Sequence, residues 1–494
     1  MIAGFHPDPS VCRVGDLYYL ATSSFTYFPG VPIFRSHDLV TWEQIGNVLD
    51  RPSQLELGAI EYASFGVYAP TIREHDGQFF MTTTVSGSSR GGTFFVTTQD
   101  PDGPWSDPVG VDVPGIDPDL AWDDDGDCWM HFAGDGIMGA RIDDQTGAVV
   151  DRPVRTWSGT GLQYPEAPHL YRHGGYWYLL IAEGGTERGH AVSVARGPSP
   201  AGPWEGCPAN PIVSHRSTAH PIQNTGHADL VEAADGSWWM VLLGVRPRGF
   251  TPGFHVLGRE TFLVPVSWVD DWPVVAPLQL DMPDGPRIPT AGAAPTVLAP
   301  GARDDFDSST LAPQWISIRE PIGDQVSLTV APGRLELRGN GQGLDDLAPA
   351  FVGRRQQQLD CRARCAVDPR TSTEAGLVVR MDEDHHYEVF IAEDEVRVRA
   401  RIGPLCQVLA SAAPPTPDVV LRVETHDDFL GPDLVMLGFD AADGSFEVLA
   451  ELDGRYLSTE VATGFIGRVI GMYVVSGVAA FDWFEIGPLP SPTS

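Results

Sequence analysis

Five residues head five similar segments of this chain: Asp8, Tyr68, Asp117, Glu166 and His227. Three are carboxylates and one is an imidazole, the groups that perform general acid–base work once their surroundings separate their protonation states. The segments read DPSVCRVGDLYYL, YAPTIREHDGQFFM, DPDLAWDDDGDCWM, EAPHLYRHGGYWYLL and HADLVEAADGSWWMV, with heads 60, 49, 49 and 61 positions apart. Side chains so widely spaced meet only if each segment fills the same place in a repeated architecture.

The repeat itself supplies that architecture. Each segment is a short strand, a polar or glycine turn, and an aromatic-rich strand, with Asp-Gly or Gly-Gly at most turns to provide the positive φ of a tight hairpin. Stretches such as VPIFRSHDLVTWEQIG and AVSVARGPSPAGPWEG follow and can complete a four-stranded unit. A unit of roughly 50 residues made only of strands and turns is the mark of a β-propeller blade. Residues 1–275 are therefore read as a five-bladed β-propeller; a sandwich would not phase five hairpins alike, and a β-helix has a shorter repeat. The first strand of each blade lines the central channel, which sets the five heads around one mouth. Like charges gathered there are costly unless they serve a site.

The rest of the chain has a different rhythm. Residues 276–303 are rich in Pro, Ala and Gly and read as a linker. Residues 304–494 hold short alternating strands such as VSLTVAPGRLELRG and EVRVRARIG, which indicate a β-sandwich of jelly-roll or lectin-like form. The fold class is all-β. The sandwich has three conceivable duties: to bind sugar, to brace the propeller, or to lend a loop to the mouth. Bracing alone is the expected one, and no residue set there suggests catalysis.

Composition narrows the partners. The chain has 494 residues and a formal charge of -34, a field that repels nucleic acid. No apolar run is long enough to span a membrane. The six cysteines form neither a zinc pattern nor a disulfide framework, and Cys361 and Cys365 fall on one face of a strand as buried thiols. The opening MIAGFHPDPS shows no basic and no apolar segment, so a cytoplasmic location is expected. Homo-oligomers remain compatible with this composition.

The combination of HPDPS, GIDP, PEAPH and GHADL, in that order, resembles family 43 of the glycoside hydrolases. Further stretches (AEGGT, LGRETFL, DDFDSSTLAPQW and YLSTEVATGFIG) extend the resemblance to the two-domain β-xylosidase and α-L-arabinofuranosidase branch, over nearly the whole chain. The resemblance implies an inverting, exo-acting enzyme. It would release xylose from the non-reducing end of β-1,4-xylooligosaccharides, with α-L-arabinofuranosidase or mixed activity as the alternative, and its partners would be short xylo- or arabinoxylo-oligosaccharides. It also implies Asp8 as general base, Glu166 as general acid, Asp117 as the auxiliary carboxylate, His227 as a channel histidine and Arg259 as a substrate contact. Glu166 must keep its proton until the leaving group departs, and Asp117 on the next blade is placed to help. The alternative for Arg259 is a structural salt bridge. Phe25, Phe28 and Tyr68 are candidates to pack on a sugar ring, core packing being their other role. One departure bears on selectivity: the family motif G-I-W-A-P is Gly66-Val67-Tyr68-Ala69-Pro70 here. No cofactor is required by this chemistry. A structural Ca²⁺ in the channel, with His227 as ligand, is set against a merely hydrogen-bonded histidine.

Overall fold

A computed structural model describes residues 2–88, 91–280, 285, 303–414 and 419–490. Among these, five antiparallel sheets lie between Ser10 and Val275, each starting with one of the repeated hairpins. The innermost strands are Ser10–Val14, Thr71–His75, Ile116–Trp122, Glu166–His173 and Gln223–Glu232. Each packs against the next and the last against the first, which closes a five-bladed propeller. The hairpin turns need left-handed backbone, and glycine supplies it; Gly77 and Gly236 have φ of 79° and 80°. Apolar side chains from facing sheets form the cores between blades, such as Leu180, Val192, Leu230 and Met240 between the fourth and fifth.

The ring is laced shut by the chain's beginning. Ile2 pairs with Thr261 on the third strand of the last blade, and the His6 amide donates to the Arg259 carbonyl at 3.1 Å. This lacing delivers Asp8 beside Arg259.

The remaining strands form a seven-stranded and a six-stranded sheet packed face to face. In Cys361–Asp368 every second side chain points inward, as the period of a half-buried strand requires. Cys361 and Cys365 are both buried free thiols, as their spacing suggested. The linker expected at 276–303 falls largely outside the described residues. No helix among the described residues is long and apolar enough to cross a membrane.

The two units share one core. Phe5, Phe25 and Tyr27 of the propeller pack in the same buried cluster as Trp315, Phe351 and Tyr473 of the sandwich. Burying one such ring contributes about 1.5–3 kcal/mol, so these contacts dock the sandwich firmly. Ser317–Ile318 adds a short strand to Tyr27–Phe28, and the buried Arg319 guanidinium donates to the carbonyls of Ile60 and Leu347.

Candidate active site

The heads of the blades converge as the repeat requires. Asp8, Tyr68, Asp117, Glu166 and His227 line one pocket of about 390 Å³, together with Phe25, Ala69, Ile116, Thr186, Arg259 and Phe465. The backbone turns sharply where these side chains leave it. Asp8, Asp117 and His227 have φ of 56°, 54° and 46°, and Ala167 beside Glu166 has 51°. The strand registers slip at the same places in the third, fourth and fifth blades. Such bulges re-aim a side chain from the sheet face toward the mouth, and left-handed backbone at non-glycine residues is the local cost.

Asp8 is held from three sides. Arg259 Nη1 donates to its Oδ1 at 2.9 Å, Ser23 Oγ donates to Oδ2 at 2.5 Å, and His227 Nδ1 lies 3.5 Å from Oδ1. Burial alone would raise its pKa, but Arg259, His227 and Ser23 outweigh that and hold the carboxyl below its ordinary range. Asp8 is therefore an oriented, ionised carboxylate. Asp117 is the opposite case. Burial, then the negative charges of Glu166 and Asp8, push it well above the ordinary range, although the Ala167 amide donates to it at 3.2 Å. Asp117 thus retains a proton in conditions where isolated carboxyls have lost theirs.

Glu166 occupies a boundary. It lines the inner pocket and also an outer cleft of about 1080 Å³, which the two share with Ile116, Thr186 and Phe465. Its side chain keeps 22% of its surface, whereas those of Asp8 and Arg259 keep 5% and 9%. Further along the inner strands lies a second layer of channel residues. Arg73 pairs with Asp119 at 2.9 Å and with Asp229 at 2.8 Å, and Nη2 contacts His169 Nδ1 at 3.0 Å. Tyr171 and Ser10 also hydrogen-bond Asp229. This layer fills the channel with buried, paired charge.

The donors around His227 do not form a calcium shell. Burial lowers this histidine to about 4, so it is neutral at physiological pH, yet its partner is Asp8. Ca²⁺ takes six to eight oxygens, but Asp8 beside His227 is held by Arg259, and the channel carboxylates Asp119 and Asp229 are held by Arg73. No three His, Cys, Asp or Glu side chains converge as a metal site among the described residues.

Phe25 and Tyr68 line the pocket as read from sequence, with ring centroids 5.7 Å apart. Phe28 does not. It is packed with Val31, Ile33 and Leu49 in the core of the first two blades, because strand pairing with Ser317 turns it inward. Arg259 makes the ion pair with Asp8 and also stands in the pocket wall. The sandwich does more than brace. Its Phe465 forms part of the wall, and the Arg259 guanidinium lies 5.2 Å from that ring. Thr186, which accepts from Arg259 at 3.0 Å, and His190, 3.5 Å from Glu166, were also missed. Both lie in or just beyond the AEGGT stretch, where no repeat flags them.

The chain matches two family models: Glycosyl hydrolases family 43 over residues 1–273, and the Beta xylosidase C-terminal Concanavalin A-like domain over 303–487. It is 38% identical to a non-reducing end alpha-L-arabinofuranosidase of Bacteroides ovatus, across 98% of this chain and 93% of that protein. A xylosidase/arabinosidase of Butyrivibrio fibrisolvens is 36% identical, across 98% and 96%. Among solved structures, the xylan beta-1,4-xylosidase of Bacillus halodurans superposes with a TM-score of 0.88 at 33% identity, covering 98% of this chain and 99% of that one. With matches of this extent over a propeller whose mouth gathers three carboxylates, the chain is a glycosidase belonging to family 43 of the glycosyl hydrolases.

Proposed function

We propose that this enzyme is an inverting exo-hydrolase that removes single xylose units from the non-reducing end of short β-1,4-xylooligosaccharides. The observation that carries the reading is the position of Glu166 between a small inner pocket and a larger outer cleft. One terminal sugar enters the inner pocket, and the remainder of the saccharide lies in the cleft. The glycosidic oxygen then falls beside Glu166, which protonates it as the general acid. Asp8, deeper and ionised, activates the water that attacks the anomeric carbon from the other side, as an inverting mechanism requires. Asp117 keeps a proton available to its neighbour, and Arg259 fixes Asp8. The Arg73 layer stops a chain from threading through the channel, which supports exo action.

A second substrate, the α-L-arabinofuranoside, is favoured by two observations. Both sequence relatives described above carry arabinofuranosidase or arabinosidase in their names, and Tyr68 stands where the family's motif carries a larger Trp. The two pentosides differ in ring size, pyranose against furanose, yet present similar hydroxyl patterns, a difference that one aromatic wall can discriminate or tolerate.

The test exploits leaving-group chemistry. Glu166→Ala is expected to lose roughly 10²–10⁴-fold on xylobiose and far less on a nitrophenyl xyloside, whose leaving group needs little protonation. Asp8→Ala is expected to lose activity on both. Equal leaving-group sensitivity in the two variants would refute the assignment. The same assay on nitrophenyl arabinofuranoside ranks the two sugars.

A further inference from the structure

We infer that His190 is a positioning residue which localises the shared proton of the carboxyl pair on Glu166. The inference rests on the reading of Glu166 as general acid. His190 is fully buried, and its Nδ1 lies 3.1 Å from the Asn224 carbonyl oxygen. A carbonyl only accepts, so Nδ1 carries the hydrogen. In the neutral ring Nε2 is then a bare lone pair. That atom is buried, has no hydrogen-bond partner among the described residues, and sits 3.5 Å from Glu166 Oε1. A buried acceptor left unmatched is costly, and the group it faces can satisfy it only by presenting a hydrogen. A protonated Glu166 does so after a small side-chain rotation, while an ionised one sets two acceptors against each other.

The other carboxyl of the pair receives the opposite instruction. The Ala167 amide donates to Asp117 Oδ2, which favours its ionised form. Burial and the neighbouring charges raise Asp117's own hold on the proton; these two contacts act against it and bias the proton toward the carboxyl that faces the leaving group. Nothing is transferred to His190; the proton stays on Glu166 Oε1 and is lent as a hydrogen bond until the glycosidic oxygen takes it. The remaining charged neighbours act on the pair without this direction. Asp8 and Asp117 bear on Glu166 from the first and third blades, His227 from the fifth, and Arg259 from the far side of Asp8. The site is built for the ring. A Cβ on Gly226 would lie 2.3 Å from His190 Cε1, so a side chain there would expel it.

The test combines a measurement on the unaltered protein with two variants. In the wild type, ¹⁵N shifts of the His190 ring are expected to report a hydrogen on Nδ1 and an accepting Nε2; an Nε2–H tautomer would overturn the inference. His190→Phe keeps a ring and removes the lone pair. It is expected to lower kcat on xylobiose by about 10–100-fold, with KM little changed and with only a small loss on the nitrophenyl xyloside. The alkaline limb of kcat/KM should move to lower pH, because the protonated acid has lost its acceptor. His190→Gln, which restores an acceptor oxygen, is expected to recover part of the limb. Equal loss on both substrates with an unmoved limb would mean a structural role and refute the inference. If Glu166→Ala shows no leaving-group dependence, the acid assignment itself fails. If Glu166→Ala shows it and His190→Phe does not, only the role of His190 fails.

Discussion

Asp117 folds into surroundings that resist its charge: burial comes first, then Glu166, then Asp8. The folded protein therefore holds a proton there that the unfolded chain releases near the ordinary value of 3.8. Between that value and the raised one the folded state binds more protons, so this residue's contribution to stability is lost as pH rises. Asp117→Asn removes the conflict. It should stabilise the protein at pH 7 by about 1–2 kcal/mol in urea unfolding, with a gain that shrinks as pH falls towards 4 and with activity sharply reduced. A gain independent of pH would contradict this account. The carboxylates themselves were legible in the sequence, because each heads a repeated segment. His190 was not, since its role depends on the Asn224 carbonyl and on the missing side chain of Gly226, neither of which lies near it in the chain.

At the scale of elements, the inner strands act as spacers that set two polar layers, the catalytic one above and the Arg73 layer below. Asp119 and Asp229 are fully buried, and the Arg73 guanidinium pairs with both. Arg73→Met should cost about 3–5 kcal/mol, because it leaves carboxylates buried without a counter-charge; chemical denaturation would measure the loss. The segment carrying Phe465 is positioned differently, by close backbone contact across the two units. The Phe465 amide donates to Ser64 Oγ at 2.8 Å, and His255 Nδ1 meets Glu460 Oε1 at 2.7 Å. A Cβ on Gly467 would lie 2.3 Å from the Leu257 carbonyl oxygen. Gly467→Ala should therefore push Phe465 away from the pocket and raise KM several-fold more than it lowers kcat. Unaltered KM would show that this packing is slack. The hairpins were readable because glycine turns and aromatic strands recur five times. The Phe465 contact is a single event between residues some 400 positions apart in the chain, and no periodicity announces it.

For the whole molecule, the shared core means that propeller and sandwich unfold together. Calorimetry should show one transition, and two well-separated ones would refute the claim that Phe5, Phe25 and Tyr27 bind the units into one cooperative body. Two units could be read from the change in strand rhythm; their common core could not, because buried rings look alike whichever sheet they face. The buried Arg73 cluster fills the channel behind the catalytic layer, and that bears on traffic. A vessel with a single doorway empties in the reverse order of filling. The truncated saccharide in the cleft stands between the freed pentose and the solvent, so it must depart first. The pentose leaves last, and until it does the enzyme is closed to the next customer. Free pentose re-entering by the same door competes directly with substrate, so the rate slackens as product accumulates around the enzyme.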